Sequence, residues 1–266
     1  MKFFAALIVS IFALVTAEQF TDSIRQTILD SHNYNRASVV PTSSDMKKLE
    51  WSLVLETMAS YTAAQCAEQE REGQQRQECG GFGAVGYNQG FAKYVSRPDL
   101  STYEELVREW YELGGLYNFD YNMCYGDEEF VCTAYLQVVF SNVTAVGCAS
   151  SMCYMDIKDD GQYIGTVLVC YYTPGWIANP ENENNNNNNN NNDNNNNNNN
   201  NNGGLNSPRP YSSGTSCNKC LSDSPYCYKG LCSPYQENFS SSAGTYHIDI
   251  ILFTLATLLI SLFSHL

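Results

Sequence analysis

A long run of asparagine limits where this chain can build a folded core. Residues 184–202 are all asparagine except Asp193, within a chain of 266 residues. Such a tract has no apolar side chains to bury, so it cannot offset the entropy lost on ordering. We therefore expect residues 181–216 to form a disordered linker, with folded structure confined to either side of it. Self-association through asparagine side chains is a second role for such tracts.

An apolar segment at the start of the chain predicts export. Lys2 precedes an apolar run from Phe3 to Val15, and the segment ends in small residues at Ala17. This is the layout of a cleaved secretory signal, which would leave Glu18 as the first residue of the mature chain. A membrane anchor is the alternative interpretation, but the run is shorter than the roughly 17–25 residues of a span. Residues 1–17 are therefore predicted to be a signal peptide.

The overall charge and the cysteine count restrict the environment and the partners. Twenty-eight acidic residues against 14 Lys and Arg give a formal charge of −14. This excess of negative charge argues against binding nucleic acid or anionic membrane surfaces. Export to an oxidising compartment makes disulfides the expected state of the 11 cysteines.

A small module with four cysteines follows the asparagine run, over residues 217–232. Its cysteines are Cys217, Cys220, Cys227 and Cys232. A zinc site and two disulfides are both compatible with a Cys-x-x-Cys pair followed by two more cysteines. The oxidising compartment favours two disulfides, and three connectivities are then possible.

The last segment, residues 233–266, resembles a signal for attachment of a glycosylphosphatidylinositol (GPI) anchor. Small residues at Ser240, Ser241 and Ser242 precede a polar spacer and an apolar run from Ile250 to Phe263. This order predicts lipid attachment at the small residues and removal of the tail. The protein would then lie on the extracellular face of the plasma membrane, or be secreted. A short tail anchor that stays in the membrane is the alternative.

Helices precede strands in the segment before the asparagine run. Thr21 is placed to cap a first helix, Ser52 a second, and Ser101 or Thr102 a third that ends at Gly114. Trp51, Leu55, Ala59, Ala63 and Cys66 share one face of the second helix. Alternating apolar residues predict strands over residues 135–140, 144–149 and 163–172. This order, without alternation of strands and helices, predicts an α+β fold with an antiparallel sheet.

Several motifs together resemble the CAP superfamily, which includes cysteine-rich secretory proteins, antigen 5 and plant pathogenesis-related class 1 proteins. They are "SHNYNR" (31–36), "EWYELGGLYNF" (109–119), "YLQVVF" (135–140), "VGCA" (146–149) and "VCYYTPGW" (169–176). The resemblance covers residues 20–180 and implies an α-β-α sandwich with a central antiparallel sheet between helical layers. It also implies the disulfides Cys66–Cys153, Cys124–Cys132 and Cys148–Cys170. Cys79 then has no partner and is either a buried thiol or an intermolecular bridge.

The same resemblance locates a metal site that this chain lacks. Family members that hold a divalent metal use two His and two Glu, and the matching slots here are Glu70, Gly81, Leu113 and Ala134. All four depart from the pattern, so we expect no metal and no other cofactor. Glu112, one position before a slot, is the remaining carboxylate candidate.

Histidine is too scarce for most catalytic sites. Of three histidines, His247 and His265 lie in or beside the expected anchor signal, which leaves His32. His32 is either a lone base or, as we favour, a helix residue that packs locally. With one imidazole and no visible nucleophile–base pair, an enzyme such as a protease is the least favoured interpretation.

The sequence therefore predicts a non-enzymatic secreted or cell-surface protein, displayed on a stalk for recognition or adhesion. Sequons at Asn142 and Asn238 predict a glycoprotein. The ligand is an unknown protein, glycan or lipid. The alternative is an extracellular protein that binds sterols or fatty acids, in which residues 81–95 wall an apolar groove.

Overall fold

The computed structural model describes residues 20–66, 77–78, 84–125, 132–157, 161–176 and 208–236. Several predicted features lie outside these residues. They are the signal peptide, the asparagine run, Glu70, Cys79, Gly81, Asn238 and the anchor region with Ser240, Ser241 and Ser242.

Three of the four α-helices come before the two long strands, and the fourth directly precedes them. The helices are α1 (Asp22–Ala37), α2 (Leu53–Ala64), α3 (Leu100–Glu112), which continues as a 3₁₀ turn (Leu113–Leu116), and α4 (Thr133–Val139). The strands are β1 (Glu50–Trp51), β2 (Gln77–Glu78), β3 (Ala84–Lys93), β4 (Tyr117–Asn118), β5 (Met123–Cys124), β6 (Ala145–Ile157), β7 (Gly161–Thr173), β8 (Tyr226–Tyr228) and β9 (Leu231–Ser233). The main sheet has the order β1-β6-β7-β3-β2.

Strand β7 divides the core into two layers because its side chains alternate between the faces of the sheet. Leu168, Cys170 and Tyr172 belong to the main core cluster, together with residues of α1, α3 and α4. Val167, Val169 and Tyr171 belong to a second cluster, together with Leu55, Ala59 and Ala63 of α2. The architecture is thus the α-β-α sandwich that the sequence motifs implied.

The sheet differs from the prediction at one edge. Pairs β6–β7, β7–β3 and β3–β2 are antiparallel, but β1 pairs with β6 in parallel. The Glu50 amide donates to the Thr144 carbonyl at 2.9 Å and the Ser52 amide to the Val146 carbonyl at 2.8 Å. The sheet is therefore mixed, because the segment between α1 and α2 joins it in the direction of β6.

Residues 135–140 were predicted to form a strand, and this prediction was wrong. They form most of α4, in which every residue from Tyr135 to Val139 is buried. A short helix that is buried on all sides has no polar face, so its sequence shows no helical period. The cap of α3 also differs from the prediction. Asp99, not Ser101 or Thr102, is the N-cap, and its carboxylate accepts from the Thr102 amide at 2.9 Å.

Arg36 lies at the end of α1 and is fully buried. Within the described residues, its side chain donates hydrogen bonds to backbone carbonyls. Its Nη1 donates to the carbonyls of Val138 (2.8 Å) and Phe140 (2.9 Å), and its Nε and Nη2 donate to Lys47 O (3.0 and 2.7 Å). Nη2 also reaches Val143 O at 3.2 Å. The carbonyls at the end of α4 have no partner within the helix, so Arg36 caps that helix with a positive charge.

Burial lowers the pKa of Arg36 to about 9, while Tyr172 and Asp45 oppose this shift. The guanidinium therefore remains charged at neutral pH. Its burial is tolerated because its donors are distributed over several carbonyls.

Residues 208–236 pack against this sandwich. The Ser141 amide donates to Pro210 O (2.7 Å), the Ser44 amide to Ser212 O (2.8 Å), and the Cys232 amide to Met46 O (2.8 Å). Tyr211 and Leu231 are 3% and 2% exposed and belong to the main core cluster. The cysteine module is thus part of one body that ends at Gln236.

All ten cysteines that the structure describes form disulfides. The pairs are Cys66–Cys153, Cys124–Cys132, Cys148–Cys170, Cys217–Cys227 and Cys220–Cys232. The first three are the pairs implied by the family resemblance. The last two select one of the three possible connectivities of the module. Cys217, Cys220 and Cys232 form the one cluster of potential metal ligands within the described ranges. Because each belongs to a disulfide, they have no thiolate to offer.

Replacement of Arg36 tests its role in the core. Arg36→Lys keeps the charge but supplies three donors on one atom, so several of the five carbonyls that Arg36 binds lose their partner. We expect the free energy of unfolding to fall by about 3 kcal/mol or more, measured by urea denaturation of residues 18–236. Arg97→Lys, at an exposed arginine, should change it by less than about 0.5 kcal/mol. Equal effects of the two substitutions would contradict this role.

Replacement of Tyr211 tests whether the C-terminal segment belongs to the core. Tyr211→Ala removes a buried ring and should lower the free energy of unfolding by about 3 kcal/mol, because it leaves a cavity. Tyr235→Ala is the matched control, since Tyr235 lies in the same segment and is 66% exposed. Urea denaturation of both variants measures the difference. An autonomous module would instead leave the stability of the sandwich unchanged in both.

Candidate functional site

Two of the four metal slots, Leu113 and Ala134, are described, and both hold packed hydrocarbon. Leu113 begins the 3₁₀ turn after α3, and Ala134 lies in the first turn of α4. Both are partly buried against the main core cluster. A Cβ on Gly114 would lie 2.5 Å from the Tyr135 ring, so glycine lets α3 and α4 approach closely here. Neither slot offers a metal ligand from its side chain.

Glu112, the neighbouring carboxylate, is engaged on the outer surface of α3. Its Oε1 accepts from Arg108 Nη1 at 2.6 Å, and Arg108 also pairs with Glu105 at 2.9 Å. The Glu112 side chain is 57% exposed. Partial burial, with repulsion from Glu105 and Glu112, raises the pKa of Glu109. These carboxylates form a solvated ion-pair face, as acidic residues on a helix surface commonly do.

His32 lies at the centre of a buried polar network next to the Ala134 slot. Its Nδ1 is 2.8 Å from Ile28 O, which can only accept, so Nδ1 carries the proton. Its Nε2 accepts from the Tyr172 hydroxyl at 2.8 Å. Asn88 Nδ2 donates to Tyr172 Oη at 3.3 Å and to Ala134 O at 3.0 Å. The network links α1, β7, β3 and α4 through satisfied hydrogen bonds.

This environment holds His32 neutral. Burial, together with the positive charge of Arg36, lowers its pKa to about 4, although the hydrogen bond to Ile28 opposes the shift. Burial also raises the pKa of Tyr172. An enclosed imidazole with both nitrogens engaged cannot exchange a proton with a substrate. His32 therefore acts as the locally packed helix residue that the sequence favoured.

The segment predicted to wall an apolar groove forms β3 over most of its described residues, and its Tyr94 lines a surface cavity. Residues 86–93 of β3 pair with residues 172–165 of β7. Val85 and Asn88 are buried within the sandwich. The glycines concealed the strand, because glycine commonly marks a turn. A Cβ on Gly86 would lie 1.8 Å from Gln137 Oε1, which accepts from the Trp176 amide at 3.1 Å, so close packing excludes a side chain there.

Two surface cavities lie away from the metal slots, since neither is lined by Leu113 or Ala134. The first, of about 660 Å³, lies where residues 208–213 cross the sandwich. Its lining includes Phe119, Asn142, Arg209 and Tyr211. The second, of about 450 Å³, is lined by Tyr94, Ser96, Tyr154, Tyr163 and Ile164. The sequence could not predict the first, because it forms only when the C-terminal segment docks.

The fold and the five disulfides between described cysteines define the class: a disulfide-rich α-β-α domain of the cysteine-rich secretory type. The family model described as "CAP: Cysteine-rich secretory protein family" matches residues 29–172. The chain therefore belongs to the CAP family. Within the described ranges, no helix combines the length and apolar composition needed to cross a bilayer.

Known relatives agree with this membership. The chain is 26% identical to GLIPR1-like protein 1 of Mus musculus over 92% of its own length and 85% of that protein. It is 28% identical to Peptidase inhibitor 16 of Mus musculus over 82% of its length, but it spans only 35% of that protein. The solved structure of Na-ASP-1 superposes with a TM-score of 0.56 at 20% identity, over 82% of this chain and 49% of the other. That last likeness concerns the fold alone.

The pH dependence of stability tests the assignment of His32. Its folded pKa of about 4 lies below the unfolded value of about 6.5, so the unfolded state takes up the proton first as pH falls. The contribution of His32 to the free energy of unfolding is complete above pH ~6.5 and is lost toward pH ~4. About 2 kcal/mol of it is lost between pH 7 and 5. Urea denaturation of residues 18–236, which contain no other histidine, measures it.

His32→Gln is the matched control, because the Gln amide can accept from Tyr172 and does not titrate in this range. Between pH 7 and 5, the free energy of unfolding of the variant should fall by about 2 kcal/mol less than that of the parent chain. Parallel losses in the two proteins would show that His32 titrates normally and is not enclosed.

Proposed function

We propose that this CAP-family chain is a secreted or cell-surface protein that recognises a protein or glycan ligand and catalyses no reaction. The observation that carries the proposal is a surface rich in tyrosine. Among the described residues, eight tyrosines are more than 40% exposed: Tyr34, Tyr61, Tyr94, Tyr121, Tyr125, Tyr154, Tyr226 and Tyr235. Tyrosine is enriched at recognition surfaces because its rigid ring gives a large amphipathic contact area at a small entropy cost.

The interior supports a non-catalytic role. Leu113 and Ala134 fill metal slots with packed hydrocarbon, and His32 is neutral, buried and engaged at both nitrogens. Acid–base or metal-assisted chemistry would need these positions to face a substrate. Five disulfides among the described cysteines suit an oxidising, extracellular setting.

The packing of residues 208–236 changes how such a protein would be displayed. Trp176 is buried in the core and Arg209 bonds to the sandwich at Phe119 and Asp120, so the asparagine run connects two points of one body. We propose that residues after Gln236, ending in a lipid anchor near Ser240, set the distance from the membrane. The asparagine run would then not be the stalk.

Binding to cells tests recognition. Tetramers of fluorescent residues 18–236 should label cell surfaces, and the label should persist in a metal chelator because no ion takes part. Each of the eight tyrosines is changed singly to Ser. We expect at least one change to weaken binding by about 30-fold, as for an interface hot spot, with an unchanged melting temperature. Loss of labelling in chelator, or labelling insensitive to all eight changes, would count against the proposal.

Lipid binding is the second candidate, and the cavity of about 450 Å³ favours it. Tyr94, Tyr154, Tyr163 and Ile164 give this cavity a mostly aromatic and apolar wall. Native mass spectrometry of residues 18–236 decides between the candidates. A lipid-sized adduct that Tyr94→Ser removes would favour lipid binding. The mass of the protein alone, without an adduct, would favour recognition of a protein or glycan. A stoichiometric zinc adduct would contradict both the proposal and the assignment of the metal slots.

A further inference from the structure

We propose that the cavity beside Asn142 is the seat of this protein's own N-linked glycan, whose first sugars lie in it. We call this cavity the Asn142 groove, and its lining includes Asp45, Phe119, Asp120, Asn142, Arg209 and Lys219. The inference needs passage through the secretory route and modification of Asn142. It does not depend on the proposed recognition role.

Asn142 is an exposed residue in a rigid setting at the rim of the groove. It lies in the sequon Asn142-Val143-Thr144, at the turn between α4 and β6. Its neighbours Ser141 and Val143 are buried, and Arg36 donates to the carbonyls of both, at 3.4 and 3.2 Å. A sugar attached here would leave the protein from a fixed point, which lowers the entropy cost of docking it.

The C-terminal segment forms the opposite wall of the groove, close to the same turn. The Ser141 amide donates to Pro210 O at 2.7 Å, so the residue before Asn142 is joined directly to this wall. Arg209 fixes the rim further, because its Nε donates to Phe119 O (2.9 Å) and its Nη2 to Asp120 O (2.7 Å). The groove is therefore held open between two elements by backbone bonds.

The chemistry of the groove suits a carbohydrate. The Phe119 and Tyr211 rings lie 4.8 Å apart, centroid to centroid, and both line the groove. Tyr211 is buried, so the partly exposed Phe119 ring supplies the apolar surface for the C–H face of a sugar. The carboxylate of Asp120, the ammonium of Lys219 and the hydroxyl of Ser213 are exposed along the rim and match sugar hydroxyls.

The size of the groove and the attachment point also fit this occupant. A volume of about 660 Å³ lies in the range of roughly 300–1,000 Å³ in which pockets enclose small ligands. A glycan linked to Asn142 is present at a high effective concentration, so weak contacts suffice to keep it in place. A soluble sugar would have to displace it from the same contacts.

Accessibility to a glycosidase tests the proposal on the full chain secreted from mammalian cells. Glycopeptide mass spectrometry follows the release of each glycan by peptide N-glycosidase, before and after denaturation. We expect release from Asn142 to be at least tenfold slower in the native protein than in the denatured one. A glycan on Asn238, outside the groove lining, gives an internal comparison.

Two surface variants separate a seated glycan from ordinary steric protection. Ser213→Arg places a long side chain in the groove and should raise the native release rate from Asn142 toward the denatured rate. Thr215→Arg lies in the same segment, is exposed and does not line the groove, so it should leave the rate unchanged. Matching melting temperatures of the two variants confirm that both fold.

Three results would overturn the inference. They are an unmodified Asn142, native release as fast as denatured release, and equal rates in Ser213→Arg and Thr215→Arg. A groove that takes glycans from other molecules would give the second result. None of these results bears on the binding of cells by residues 18–236, so the recognition proposal is tested separately.

Discussion

The buried charge of Arg36 fixes the arrangement of the elements around it. One guanidinium binds carbonyls of the segment before β1, of the end of α4 and of the turn that leads into β6. These groups are about 100 residues apart in the chain but share one cation. A buried charge is costly unless it is fully hydrogen-bonded, so this site tolerates little displacement of any partner. The position of Asn142 within that turn follows from the same constraint.

The C-terminal segment completes the body that Arg36 organises. Tyr211 fills the main core cluster, and Pro210 bonds to the turn held by Arg36. The module with four cysteines is too small for a hydrophobic core of its own, so two disulfides and contact with the sandwich stabilise it instead. This explains how a long polar insertion is tolerated. Each doubling of the length of such a loop costs only about 0.6 kcal/mol of closure entropy. The buried residues Trp176 and Tyr211, on either side of the insertion, hold its ends in the core.

The sequence predicted those features that depend on local chemistry. Thr21 and Ser52 were identified as caps because a cap needs only a side-chain oxygen and amides within three residues. The helix around Leu136 was not foreseen, because burial on all sides removes the helical period. The Asn142 groove was not foreseen either, because its walls come from segments joined only by the tertiary fold.

The interior around Ala134 is held by packing and hydrogen bonds. Ala134 contributes a methyl group that packs against the main core cluster and a carbonyl that accepts from Asn88. The imidazole of His32 bonds on both sides and stabilises the junction of four elements. The same hydrogen bonds hold His32 within the core, so the surfaces available for the proposed recognition are the exposed tyrosines and the groove beside Asn142.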